Sequence, residues 1–243
     1  MAYQGGKQKL GKEIHDVILF LENELEWTNK DGTRYPYFEP FVGFCGVFKH
    51  FCRDNDRSLH ACDISKDIIN MWRALQNGWK PSGKCAYATW NRLKTAEPSP
   101  SRTLYGHVCS FGGQFFTHFL NDPKYAQRGS LNVKNTALDL ANVLFHDASS
   151  YDAFEPKNMT IYCDPPYRNN KVINQHFKHF DHDRFWETMR RWSKHNLVLV
   201  SEYTAPDDFA CIWEKQRKNF ATDKQGVLST ERIFVHRSNL KFG

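Results

Sequence analysis

The segment Asn196 to Val200 (NLVLV) is an almost unbroken apolar run, without the polar alternation of a strand that shows one face to water. A strand with two apolar faces must be covered on both sides, which places it in the middle of a largely parallel sheet flanked by helices. Four other segments read as strands that end at turn residues or acids: Tyr37 to Gly43 (YFEPFVG), Ser58 to Ile64 (SLHACDI), Asn142 to His146, and Met159 to Cys163. Between them lie stretches with helical spacing. Gly46 to Arg53 sets Val47, Phe48 and Phe51 on one side, Ser65 is placed to cap a helix running to Gln76, Leu131 to Leu140 has the same period, and Asp181 is placed to cap a helix reaching about Lys194. Strands alternating with helices predict an α/β sheet with helices on both faces, whose ligands bind beyond the carboxyl ends of the strands. Gly226 to His236 is expected to add a last strand.

From Asn77 to Ser130 the periodicity weakens, and Gly, Pro and Ser accumulate in NGWKPSGK, EPSPSR and SFGG among scattered Lys and Arg residues. This stretch reads as an inserted lobe, dividing the chain into 1–76, the lobe 77–130, and 131–243. The net charge of +6 and the pI near 8.9 suit a polyanionic partner, though many basic proteins bind no nucleic acid. No stretch approaches the length needed to span a bilayer, and the polar start of the chain is unlike a secretion signal, so a soluble intracellular protein without membrane contact is expected. The seven cysteines form no CxxC pair and are expected to be reduced thiols. Two groups, His50, Cys52, His60 and Cys62, and His176, His179 and His182, have the composition of metal ligands. The first runs into a strand and the second lies in a polar loop, so no metal is expected.

Asp164-Pro165-Pro166-Tyr167, directly after a strand, is the most specific feature. Two prolines fix an extended, rigid backbone that projects an acid and an aromatic ring from the sheet edge. An exocyclic amine conjugated with a ring is a poor nucleophile, and two acceptors on its hydrogens draw the lone pair out of conjugation. The Asp164 carboxylate and the Pro165 carbonyl are acceptors of that kind. Tyr167 is then expected to stack on a base that has left its duplex. Phe38 to Gly46 forms a glycine turn between strand and helix, which allows close backbone approach to a ligand, and Asp63 at the end of the next strand is placed to bind ribose hydroxyls.

Together these features resemble the DNA adenine N6-methyltransferase family, in its Dam-like class, where the cofactor motif precedes the target-recognition region and an Asp-Pro-Pro-Tyr motif follows it. The resemblance spans almost the whole chain. Tyr3-Gln4-Gly5-Gly6-Lys7 is similar to the family's N-terminal element at the cofactor, so Tyr3 and Lys7 carry over. The resemblance assigns S-adenosylmethionine binding also to Glu39, Phe41, Gly43 and Gly46 in the main loop, to Asp63 with Ile64, to Asp147 and to Asp164. Catalysis falls to Asp164, Pro165, Pro166 and Tyr167. The implied fold is a Rossmann-like S-adenosylmethionine-dependent methyltransferase sheet with an inserted target-recognition lobe. Cys109 to Phe116 and Ser201-Glu202-Tyr203 are similar to segments of phage-type members, which implies a viral or phage-like subgroup, at work in a bacterial cytoplasm or an infected host cell. Phe44-Cys45 departs from the family, many members having small residues there.

The implied activity is methyl transfer to N6 of a flipped adenine in double-stranded DNA, without metal or covalent intermediate, with a cognate restriction enzyme as a possible partner. Its rivals are cytosine N4 or RNA adenine as the target, and a catalytically inactive DNA-binding protein of the same fold. Arg102, Gln114, Lys124 and Arg128 are candidates for contact with DNA, and Phe177 or Phe180 for closing over the extruded base.

Overall fold

The computed structural model describes residue 3 and residues 5–52, 56–168, 180–219 and 227–240. Seven strands form one mixed sheet: β1 (Tyr37–Glu39), β2 (Leu59–Ala61), β3 (Val143–Phe145), β4 (Thr160–Cys163), β5 (Leu197–Glu202), β6 (Phe209–Asn219) and β7 (Val227–His236). Their order is β3-β2-β1-β4-β5-β7-β6. The first five are parallel to their neighbours, and the β6/β7 hairpin is antiparallel to β5 through β7. The architecture is α/β and Rossmann-like, as expected. The chain leaves β1 toward β2 on one side and later enters β4 on the other, so a crevice opens at the carboxyl ends of β1 and β4.

Strand alternation builds two cores. Tyr37, Tyr162, Leu197, Leu199, Ile233 and Val235 point to one face. There they meet α1 (Gly11–Glu24), α2 (Phe48–Phe51), α3 (Lys66–Gln76) and α5 (Pro100–Val108), through residues such as Ile14, Phe48, Trp72 and Leu104. Phe38, Ile161, Cys163, Val198 and Val200 point to the other face, against Phe185, Met189 and Trp192 of α7 (His182–Trp192). This is why β5 has no polar alternation: Leu197 through Val200 are fully buried on both sides. Each such side chain stabilises the fold by about 1.5–3 kcal/mol relative to exposure.

Several elements differ from the sequence expectation. β1 to β4 are shorter than the apolar runs that mark them, because pairing stops where the chain turns into loops, whereas β5 runs on past Val200 to Glu202. Ser65 occupies the N-cap of α3 without a capping side-chain bond. The Asp63 carboxylate takes the Ser65 N–H instead, at 2.9 Å. Asp181 does cap α7, accepting from the N–H groups of Asp183 and Arg184. The stretch 77–130 holds helices, with α4 (Tyr87–Lys94) and α5 packing on one another and α5 also on α3, and α6 (Pro123–Asp139) runs straight through residue 130 rather than beginning at Leu131. Asp122 as cap and Pro123 in the first turn start that helix early. Arg53, at the end of the expected second helix, and Gly226 lie outside the described residues. Among the described residues no helix is long and apolar enough to cross a membrane.

Candidate active site

Four parallel strands deliver acids to the crevice: Glu39 ends β1, Asp63 follows β2, Asp164 follows β4 and Glu202 ends β5. The loop after β1 is held by its neighbours. Gly43 donates its N–H to Asp63 Oδ2 at 3.0 Å, and the Trp72 indole donates to the Gly43 carbonyl at 2.9 Å. Gly43 has φ +47°, and a Cβ there would sit 2.9 Å from the Tyr3 ring; a Cβ on Gly46 would lie 3.1 Å from the Lys7 backbone. Both loop glycines are therefore needed for the N-terminal segment to lie against the loop. Cys45 also takes a left-handed backbone, at φ +53°. That conformation disfavours a side chain by about 1–2 kcal/mol, offset here by full burial of the thiol.

Tyr3 stacks on Phe44 with ring centroids 4.6 Å apart and meets His107 edge-on at 5.0 Å. Burial, with Asp63 and Asp164 nearby, pushes its phenol well above its usual range, so it stays protonated. Lys7 carries the N-terminal segment to the centre of the site. Its Nζ lies 2.7 Å from Asp164 Oδ1, 3.4 Å from Glu231 Oε1 and 4.7 Å above the centre of the Tyr167 ring. Burial works against the Lys7 charge, but Asp164 and Glu231 outweigh it and raise its pKa. For Asp164, burial pushes the carboxyl up, Lys7 pulls it back, and Glu231 pushes it further up. Burial also raises Glu39, which accepts from the Tyr37 hydroxyl at 2.7 Å. Glu202 is raised by burial too, although it accepts the N–H groups of Tyr203 and Arg168.

Tyr167 is buried, its ring edge-on to Tyr203 at 4.7 Å and its hydroxyl donating to Glu231. Pro165 is buried and Pro166 half-buried beside it. Phe41 packs on Tyr151, Phe180 and Phe185, whereas Ile64, 45% exposed next to Asp63, is an apolar surface at the mouth of the crevice. The crevice thus gathers Tyr3, Lys7, Glu39, Gly43, Gly46, Asp63 and Asp164 to Tyr167, residues from four separate parts of the chain. Asp147 stands apart: its side chain is exposed and pairs with Arg73 at 2.7 Å, which lowers its pKa.

The DNA-contact candidates divide. Arg102 is mostly buried, paired with Asp67 at 2.7 Å and lying 5.0 Å from the Phe115 ring centre. Gln114 is half-buried after the 3-10 turn Phe111–Gly113. Lys124, beside Asp122, and Arg128 are exposed on α6. Gln4, His176, Phe177 and His179 lie outside the described residues. Among the described residues no three His, Cys, Asp or Glu side chains converge as a metal site; His60 and His146 stack as a pair, with Nδ1 to Nε2 at 3.1 Å. Sequence reading did not single out Glu231 or His107. Glu231 carried a signal, since in β7 it alternates with Ile233 and Val235 on the apolar face.

Tyr3, Lys7, the β1 loop and Asp63 all fall within one stretch that has known relatives. Residues 3–99 match the D12 class N6 adenine-specific DNA methyltransferase family. The match ends before Asp164. Among solved structures, the chain is similar to TrmN from Thermus thermophilus at 12% identity, covering 90% of this chain and 48% of that one, with a TM-score of 0.39. The chain therefore spans about half the length of TrmN. It is also similar to magnesium protoporphyrin IX methyltransferase from Synechocystis PCC 6803, crystallised with S-adenosylmethionine, at 8% identity, 93% and 82% coverage and a TM-score of 0.37. A third is the rRNA methyltransferase aviRa from Streptomyces viridochromogenes, at 10% identity, 93% and 86% coverage and 0.39. No curated protein shows significant sequence similarity to the chain.

Proposed function

We propose that this chain is an S-adenosylmethionine-dependent methyltransferase that acts on N6 of adenine in double-stranded DNA. The observation that carries this reading is the placement of Asp164 and Tyr167, which lie outside the matched 3–99 stretch, against Lys7 inside it, at the switch point of the sheet. Two distant motifs with one joint chemistry converge on one crevice.

The residues present suit the cofactor. Ribose hydroxyls are donors and the amino acid end carries an ammonium, and the crevice offers the acceptors Glu39, Asp63 and Asp164 with the exposed apolar Ile64 beside Asp63. Bound there, S-adenosylmethionine supplies an activated methyl group on a sulfonium. Asp63 would hold the ribose while keeping the β1 loop closed through Gly43. Asp164 would accept a hydrogen from the target amine, orienting the nitrogen lone pair out of the ring's π system for in-line attack. The proton released afterwards passes to solvent, so Asp164 acts by orientation and charge. Lys7 counters part of the penalty that burial places on the Asp164 charge. Tyr167 would offer its ring to the base. Exposed Lys124 and Arg128 on α6 would contact phosphates.

Asp164→Ala is expected to abolish methyl transfer from labelled cofactor to duplex DNA, with DNA affinity in a gel-shift assay within a few-fold of wild type. Undiminished turnover in this variant would remove Asp164 from the chemistry.

A further inference from the structure

Glu231 comes from a strand that none of the motifs includes. β7 runs antiparallel to β5, and its register sets Arg232 opposite Glu202, so Glu231 arrives at the carboxyl end of the central strands. It shares a strand face with the fully buried Ile233 and Val235, where an apolar residue would be expected. A carboxylate in such a place is costly unless it is paired and hydrogen-bonded. Here it accepts from the Tyr167 hydroxyl and lies 3.4 Å from the Lys7 ammonium. Lys7 in turn bonds Asp164 and covers the Tyr167 ring. Four side chains from the N-terminal segment, the β4 loop and β7 thus form one connected cluster, joined through Lys7 and ending on Asp164.

We infer that Glu231 is a positioning residue for methyl transfer: it anchors the Tyr167 ring through its hydroxyl and shares the Lys7 ammonium with Asp164, so that the Asp164 carboxylate is held in place as a strong acceptor. The inference rests on the role given above to Asp164. The electrostatics follow from the surroundings. Asp164 is faced by Lys7 from the N-terminal segment, Glu231 from β7, Glu39 from β1, Glu202 from β5 and Tyr167 from its own loop. The nearby phenols of Tyr3 and Tyr162 are held protonated by burial. Lys7 is the cation in direct contact, and Glu231 draws on its charge while adding negative potential of its own. Both effects raise the proton affinity of Asp164, and a more basic carboxylate is the better acceptor for an amine hydrogen.

The test compares wild type with Glu231→Gln and Glu231→Asp. In protein without cofactor, the carbon-13 carboxyl titration of Asp164, assigned with Asp164→Asn, should move to lower pH in Glu231→Gln and stay near its wild-type position in Glu231→Asp. The acid limb of kcat for DNA methylation should move in the same direction, with kcat down about tenfold or more and KM for DNA little changed. Glu231→Asp keeps the charge but loses reach to Tyr167, so its kcat should fall without a shift of the limb. An unmoved Asp164 titration in Glu231→Gln would overturn the inference, as would full kcat in both variants. If Glu231→Gln does not fold, full kcat in Glu231→Asp alone overturns it. Wild-type protein that methylates no DNA would instead defeat the functional reading, while the titration still decides the placement of Glu231.

Discussion

His107 shows how a side chain without a motif can matter to this site. It sits on α5, with Nδ1 2.9 Å from the Gly113 carbonyl, so that nitrogen must carry the proton, and its ring touches Tyr3 of the N-terminal segment and Phe44 of the β1 loop. Burial pulls its pKa down to about 4 from the ordinary 6.5. Between those values the unfolded chain binds a proton that the folded chain refuses. The stability His107 supplies is therefore present above pH 6.5 and is lost as pH falls toward 4, by up to about 3 kcal/mol. Urea denaturation from pH 4 to 8 should show this loss in wild type and a shallower one in His107→Asn; parallel curves would contradict it. Asp63, Asp164 and Tyr167 were legible in the sequence because their chemistry ties them to short motifs, and Tyr3 and Lys7 only through the resemblance of their segment to a known family. His107 and Glu231 were not, since each owes its role to neighbours brought from distant parts of the chain. Asp147 and Arg102 illustrate the opposite case, as residue type alone could not reveal that each is already engaged within the protein, by Arg73 and by Asp67.

Helix α1 reaches the sheet through a buried charge cluster. Glu22, near its end, is paired bidentately with Arg57, whose side chain is buried, at 2.7 and 2.8 Å, bonds Arg34 at 2.8 Å, and accepts from the Thr160 hydroxyl at the start of β4. Glu22→Ala removes the carboxylate that three side chains share, and is expected to cost about 3–5 kcal/mol in chemical denaturation; a loss under about 1 kcal/mol would mean the cluster is not coupled to folding. The helix itself has its signal in Ile14, Ile18 and Leu21, three buried positions at helical spacing. Among the strands, β1 to β5 were legible from apolar runs. β6 was not: its residues from Glu214 on are charged or polar, and pairing with β7 along the sheet edge, across an irregularity between Cys211 and Trp213, makes it a strand. The α6 start was readable in Asp122-Pro123, but its first turns are too polar for periodicity to find.

The order of the strands ties these parts together. With β1 and β4 adjacent and their connections leaving in opposite directions, the loops after them face one another, and the N-terminal segment lies over both. The alternation of elements foretold such a crevice, whereas the packing of α4 to α6 on one another and of α5 and α6 on α3 came from contacts that composition does not encode. The central claim concerns what leaves that crevice. Duplex DNA incubated with the protein and isotope-labelled S-adenosylmethionine, then digested to nucleosides for mass spectrometry, should contain labelled N6-methyladenine, and Asp164→Ala should yield none. Label found in N4-methylcytosine, or label that enters RNA and never DNA, would contradict the account.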